Sequence, residues 1–425
     1  MQFHSTNDRG ETATFREAIL KGLAPNNGLY VPASIPRIPA ELWKGGETTQ
    51  PHELATEIIW PFAEGSMERA DLARICAEAI SFPFPLVQTD ARRHALELFH
   101  GPTLAFKDVG ARFLARVISH FSQAKVTVLV ATSGDTGSAV AQGFHGVEGI
   151  DVVLLYPKGR ISRVQEQQLT TVGGNVQALE VDGAFDDCQA MVKQAFLDAE
   201  LQALRPLTSA NSINIARWIP QATYFASTVH ALGEDVLFSV PSGNYGNLAA
   251  GLLAHQMGMP CRGFIAATNA NDVVPEFLET GRYRPRPSVA TISNAMDVGA
   301  PSNFVRLTHL FGDDLEAFRG TVRGFHLDDE GTRQRIKQVH DDAGYVVDPH
   351  GAIGHAALDA ALEEDPAATG VFLHTAAPCK FGEVVAPVLG EEPAMPERLR
   401  EIVNRPKQSV EISANDAALK AYLLG

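Results

Sequence analysis

The chain has 425 residues, of which 45% are hydrophobic and 20% charged, and a formal net charge of −15 at pH 7. Such a length exceeds what one hydrophobic core usually holds and predicts two or three domains, while the acidic balance weighs against nucleic acid or an anionic membrane as partner. No apolar run approaches the roughly 18 residues a membrane span needs, and the start, Met1-Gln-Phe-His-Ser-Thr-Asn, has neither a basic nor an apolar leader, so a cytoplasmic protein is expected.

Cys76, Cys188, Cys261 and Cys379 lie far apart without a C-x-x-C pair, which argues against a zinc site and a disulfide framework. Residues 1–90 read as a mixed N-terminal region. A short helix is predicted over Thr14 to Leu23, an extended turn over Gly28-Leu-Tyr-Val-Pro32, and helices over Leu54 to Trp60 and Met67 to Ile80. Pro25, Pro32, Pro36 and Pro39 make the region between them a tight wrapping segment, with substrate closure or subunit contact as its expected use.

Next comes Glu97-Leu-Phe-His100-Gly-Pro-Thr-Leu-Ala-Phe-Lys107-Asp108, where a short apolar strand turns through Gly101 and Pro102 into a helix. Val109, Phe113, Val117 and Phe121 recur at four-residue spacing, so the helix is expected to start near Thr103 and to carry Lys107 in its first turn. There the positive end of the helix dipole and apolar Leu104 and Phe106 both favour a neutral amine. A lone lysine is most often a solvated surface charge; the chemical alternative is a Schiff-base nucleophile, most often for pyridoxal phosphate.

Val126-Thr-Val-Leu-Val-Ala-Thr132 is a β-branched run suited to a strand buried on both faces, as in parallel sheets. It leads into Ser133-Gly-Asp-Thr-Gly-Ser138 and a helix, a strand-to-helix turn whose free N–H groups and hydroxyls make an anion site. Strands at 152–156 and 176–181 and helices at 186–201 and 213–232 complete one open α/β unit. A second unit repeats the device: strand 236–240, the loop Pro241-Ser-Gly-Asn-Tyr-Gly-Asn247, and a helix from Leu248 to Met257. Gly243 and Gly246 allow a phosphate to approach the backbone, although a plain tight turn explains two glycines equally well. A late strand, Val371-Phe-Leu-His374, ends on the hydroxyl of Thr375, where open α/β sheets hold ligands. Ser293-Asn-Ala-Met-Asp297 and Asp348-Pro-His-Gly351 are polar loops with no role legible from spacing, and His350 and His355 lack the spacing of a paired metal motif. The tail from Glu411 to Leu424 reads as a docking helix.

Taken together, His100-Gly-Pro-Thr-Leu-Ala-Phe-Lys-Asp108, Ser133-Gly-Asp-Thr-Gly137, Asn211-Ser-Ile-Asn214, Val240-Pro-Ser-Gly-Asn-Tyr-Gly-Asn247, Ser293 to Asp297 and Asp348 to Gly351 resemble the pyridoxal phosphate-dependent threonine synthases of fold type II, in their longer branch. The resemblance runs over nearly the whole chain. It implies an α/β fold of two open twisted domains, like the β subunit of tryptophan synthase, plus the N-terminal region: a large cofactor domain from residues 91–125 and 233–425, and a small domain from 126–232. It implies pyridoxal 5'-phosphate held covalently by Lys107, with the cofactor phosphate on Ser242, Gly243, Asn244, Tyr245, Gly246 and Asn247, and the pyridine nitrogen on Thr375. Ser133, Gly134 and Thr136 would take the substrate carboxylate, and Thr136 with Asn211, Ser212 and Arg217 the phosphate of O-phospho-L-homoserine. Asp135 stands where shorter relatives carry an asparagine that contacts the cofactor phenolate, and a carboxylate there would repel that oxygen unless one of them holds a proton. The implied reaction yields L-threonine and phosphate from a monomer or homodimer. A threonine or serine dehydratase, an amino-alcohol phospholyase and a non-catalytic binding protein are the alternatives.

Overall fold

The computed structural model describes residues 1–45, 50–132, 134–312 and 314–425. The N-terminal region opens as a three-stranded antiparallel sheet in which Gln2–Ser5 lies between Asp8–Thr14 and Tyr30–Pro32. Gly28 permits this fold-back, because a Cβ there would stand 2.0 Å from Ser5 Oγ. The first helix runs Phe15–Lys21, with Thr14 Oγ1 accepting from the Glu17 N–H at 3.3 Å and the Glu17 carboxylate accepting from the Thr14 N–H at 2.8 Å. It stops short of the predicted Leu23 because Gly22 turns left-handed, with φ 70°. Helices Pro51–Ala63 and Arg69–Ala79 follow, close to the predicted pair.

Two sheets carry the rest. The larger has six strands in the order Val322–His326, Gly263–Thr268, Val236–Pro241, Thr369–His374, Arg93–Glu97 and Leu86–Gln88. All its pairs are parallel except the last, Leu86–Gln88 against Arg93–Glu97. The smaller has five parallel strands in the order Val410–Ser413, Val176–Asp182, Ile150–Pro157, Val126–Ala131 and Leu207–Thr208. The continuous apolar runs that predicted buried parallel strands lie in the interior of both. Two expected boundaries move. Leu86–Gln88, placed by the sequence in the N-terminal region, is an edge of the large sheet. The tail, placed in the large unit, instead adds a strand, Val410–Ser413, to the small sheet and then docks the helix Asp416–Leu424 on the same side. A lone amphipathic tail does not reveal which sheet edge is free to receive it.

One hydrophobic cluster runs from the N-terminal sheet through the helix Lys107–Phe121 to both sheets, joining Phe3, Phe113, Val128, Trp218 and Phe238. Within it Phe225 meets Phe238 edge-on at 5.0 Å, and Phe238 stacks on Phe264 at 5.5 Å. A shared core of this kind holds the facing loops of the two sheets in register.

On the helix Pro349–Ala356, His355 is buried against Phe372 and takes a hydrogen bond on Nδ1 from Arg335 at 3.3 Å. Burial, reinforced by Arg335 and Arg93 and opposed by Asp359 and Asp90, lowers its pKa to about 4. The unfolded chain therefore binds a proton that the folded chain refuses, and stability falls as pH drops from about 6.5 towards 4. The loss attributable to this one ring is on the order of 3 kcal/mol at the acid end. His355→Gln keeps an acceptor for Arg335 and is expected to flatten that decline in urea unfolding between neutral and acid pH. Parallel curves for the two proteins would show that the loss arises elsewhere.

Candidate active site

The Lys107 segment departs from the expected helix in one respect. The helix begins at Lys107 itself, four residues after the predicted start. Residues 103–106 form a turn sewn to the end of a strand of the large sheet: the Phe106 N–H donates to Thr375 O at 2.9 Å, and Ala105 bridges Ala376. Leu104 adopts φ 58°, which no helix continues and which a branched side chain tolerates only under constraint. The constraint is Asp108. Buried, it accepts from Thr103 N at 2.8 Å and Thr103 Oγ1 at 2.7 Å, and a Cβ on Gly101 would collide with its Oδ2 at 2.4 Å. Lys107 is thus the first helical residue, deep in the molecule yet still partly accessible. Burial lowers its pKa to about 8; the Asp135 carboxylate opposes the shift, and the Arg217 and Lys380 cations reinforce it.

Asp135 opens the helix Asp135–Phe144 directly after the turn predicted as an anion site. Ser133, expected there as a ligand, lies outside the described residues. The Thr132 hydroxyl accepts from Gly134 N at 3.2 Å and from Gly137 N at 2.8 Å, shaping the turn and leaving Thr136 partly accessible on the first helical turn. The Asp135 carboxylate meets the Lys380 ammonium at 2.5 Å and takes the Gln165 amide at 3.1 Å. Burial alone would push its pKa up, but Lys380 and Lys107 hold it below the ordinary carboxylate value.

The second glycine loop follows the strand Val236–Pro241. Ser242 Oγ donates to Asn247 Oδ1 at 2.9 Å, while Asn247 Nδ2 returns to Pro241 O at 2.8 Å, closing the loop on itself. Tyr245 is left-handed, with φ 58°. Gly243 is dictated by the protein, since a Cβ would come 2.6 Å from Met296 Cα; this gives the unexplained stretch Ser293 to Asp297 its part as the wall behind the loop. Gly246 is different. A Cβ there would find ordinary contacts, 3.5 Å to Asn303 Nδ2 and 3.7 Å to Ser212 Cβ, so the bare backbone keeps room that protein atoms do not use. Such an opening at the start of the helix Gly246–Gln256 suits a phosphate.

The hydroxyl of Ser212, expected beside the substrate phosphate, accepts from Asn244 Nδ2 at 2.7 Å, which ties the Asn211 segment to the glycine loop. Asn211 itself remains partly accessible on the turn before the helix Ile215–Trp218. Arg217, in that helix, is buried, donates from Nη1 to Ala210 O at 2.6 Å, and leaves Nε without a partner. Burial lowers its pKa to about 10 against the pull of Asp108, and among the described residues no carboxylate lies within ion-pair distance of it. Thr375 is buried one residue past the strand Thr369–His374, beside the Lys107 turn.

Sequence reasoning passed over three groups. Lys380 is one. Arg306 is another: wholly buried, it donates to Ser212 O at 3.2 Å, Asn303 Oδ1 at 2.7 Å and Tyr30 O at 3.2 Å, and lies 4.6 Å over the Trp218 ring. It thereby joins the Gly28 to Pro32 turn and the Asn211 segment at one cation, and reaches the glycine loop through Asn303, whose Nδ2 donates to Asn244 O at 3.0 Å. The third is the brace formed by Asp348-Pro-His-Gly351. The Asp348 N–H reaches His374 Nε2 at 3.3 Å, His374 Nδ1 meets Tyr345 OH at 2.8 Å, and Tyr345 OH donates to Glu97 at 2.7 Å. That chain of bonds pins the two strand ends that carry Thr375 and lead into Lys107. The only signal for any of these was a cation or a histidine set among apolar neighbours.

Comparison with known proteins gives one consistent answer. The family described as pyridoxal-phosphate dependent enzyme matches residues 94–376, threonine synthase N terminus matches 2–80, and threonine synthase, C-terminal, matches 351–423. Threonine synthase of Haemophilus influenzae is 42% identical, with 100% of each chain covered. The crystal structure of threonine synthase from Escherichia coli superposes with a TM-score of 0.92 at 40% identity, covering 100% of this chain and 99% of the other. A pyridoxal phosphate-bound threonine synthase from Brucella melitensis has the same TM-score, 0.92, at 36% identity, with 100% and 98% covered. With an accessible buried amine, an unfilled glycine cradle and matches along its whole length, this chain belongs to the threonine synthase family of pyridoxal phosphate-dependent, fold type II enzymes.

Proposed function

We propose that the substrate of this enzyme is O-phospho-L-homoserine, converted with water to L-threonine and inorganic phosphate in the cytoplasm. The observation that carries the assignment is a buried lysine of lowered pKa, Lys107, facing a buried guanidinium, Arg217, that has a free donor. The first suits an amine nucleophile and proton carrier, the second an anionic leaving group.

Bound pyridoxal phosphate supplies an electron sink that acidifies the carbons next to the substrate nitrogen. Lys107 Nζ would hold its aldehyde, the Ser242 to Asn247 loop its phosphate, and Thr375 its ring nitrogen. A hydroxyl at Thr375, unlike a carboxylate, would leave that nitrogen unprotonated and moderate the sink, favouring elimination and replacement over transamination. The Lys107 amine, its pKa lowered to about 8, would be matched to taking protons from Cα and Cβ of a bound substrate and returning them at neutral pH. Arg217, with Asn211 and Thr136, would hold the γ-phosphate as its C–O bond breaks. Water then adds its oxygen to Cβ, and a proton reaches Cγ. Gly134 and Thr136 at the helix start would orient the substrate carboxylate.

The test is a product balance. O-phospho-L-homoserine is expected to give threonine and phosphate in equal amounts. Release of ammonia and a keto acid from threonine or serine at a comparable rate would overturn the assignment in favour of a dehydratase.

A further inference from the structure

We infer that Lys380 keeps Lys107 nucleophilic by occupying the Asp135 carboxylate in a closed ion pair. The inference rests on Lys107 being the lysine that binds the cofactor, and it adds a positioning residue to that site. Two amines face one buried carboxylate here, and the geometry decides which of them owns it. Lys380 Nζ stands 2.5 Å from Asp135 Oδ1 and donates a second bond to Thr103 O at 3.0 Å. Its backbone is fixed in the short helical turn Pro378–Phe381, which Ala376 and Ala377 join to Thr375. Gln165 Nε2 holds the same Asp135 oxygen at 3.1 Å, so the carboxylate is turned towards Lys380 and away from free rotation. The side chains are 0% and 4% exposed, which leaves water no part in screening the pair.

The consequence for Lys107 follows from charge. Its amine feels Asp135, which favours the ammonium, and Arg217 and Lys380, which disfavour it. Removing the Lys380 charge subtracts a cation and at the same time releases an anion, and both changes push a proton onto Lys107. Only the neutral Nζ has a lone pair with which to add to the aldehyde carbon of pyridoxal phosphate. A C=N link then forms as the carbonyl oxygen leaves in water with the two amine hydrogens. The carboxylate at 135, awkward if it faced a phenolate alone, is accounted for: an amide there would strand the Lys380 ammonium in the interior.

The experiment measures how fast pyridoxal phosphate attaches to the full-length apoprotein from about pH 6 to about pH 10, trapping the link with borohydride and mapping the modified peptide. K380M is expected to attach the cofactor about tenfold more slowly at neutral pH, its rate profile displaced about one unit to alkaline pH. K380R and the double variant D135N/K380M are expected to keep the wild-type midpoint, the first by preserving the pair and the second by removing both charges. D135N alone should move the midpoint to lower pH, and it carries the test if K380M does not fold. Coincident midpoints for wild type, K380M and D135N would overturn the inference. If wild-type protein is labelled at a lysine other than Lys107, the reading beneath it fails as well, so the two failures are distinguishable.

Discussion

Lys107→Ala is expected to give a folded, colourless protein whose kcat/KM for O-phospho-L-homoserine is lower by about 10^4-fold or more. The size of the loss follows from two duties on one nitrogen: holding the cofactor, and carrying protons between the substrate carbons once displaced. Stability should change little or improve, because an amine at this depth pays a desolvation cost that its lowered pKa records. Borohydride treatment should then leave no label on the peptide containing residue 107. A coloured, reducible adduct in the variant would show that another lysine carries the cofactor, and Lys380 is the first to be examined because it is the other buried lysine facing the site.

Replacing Arg217 with methionine is the second large effect. The side chain is buried, donates to Ala210 O at 2.6 Å and keeps Nε unpartnered, so among the described residues it is a cation with a donor to spare for an anion. A buried charge-assisted contact to a leaving phosphate is worth roughly 2–5 kcal/mol, and kcat/KM is expected to fall about 10^2- to 10^3-fold. The truncation also leaves the Ala210 carbonyl without its donor, at a cost of about 1–3 kcal/mol. A stability readout separates the two roles. Inorganic phosphate should raise the thermal midpoint of the wild-type holoenzyme, whose glycine loop is already filled by the cofactor phosphate, by mass action and leave that of the variant unmoved. An unchanged response in the variant would take Arg217 out of the phosphate site.

The features that read correctly from the chain were those whose physics is local. Val126 to Ala131 and Val236 to Pro241 are parallel strands because β-branched apolar runs leave no other way to bury both faces. The glycine turns after them open helices for the same local reason. The helix at Lys107 was legible from its apolar stripe, but its start was not: besides the Asp108 clasp, the left-handed Leu104 accepts from the Ala377 N–H and packs against Leu399, both far along the sequence. Likewise the family resemblance singled out Ser212, but a 32-residue separation in sequence hides its bond to Asn244.

What the sequence determined by itself was the chemistry on offer: a lysine at a helix start and hydroxyl- and glycine-lined turns at strand ends, each set by spacing over a few residues. What only the tertiary structure decided was ownership of charge. Asp135 and Lys380 are 245 positions apart, Arg306 reaches back to Tyr30, and the Asp348 brace ends at Glu97. Buried charges choose partners by distance in space and by the absence of water, and neither quantity is written in the order of residues along a chain.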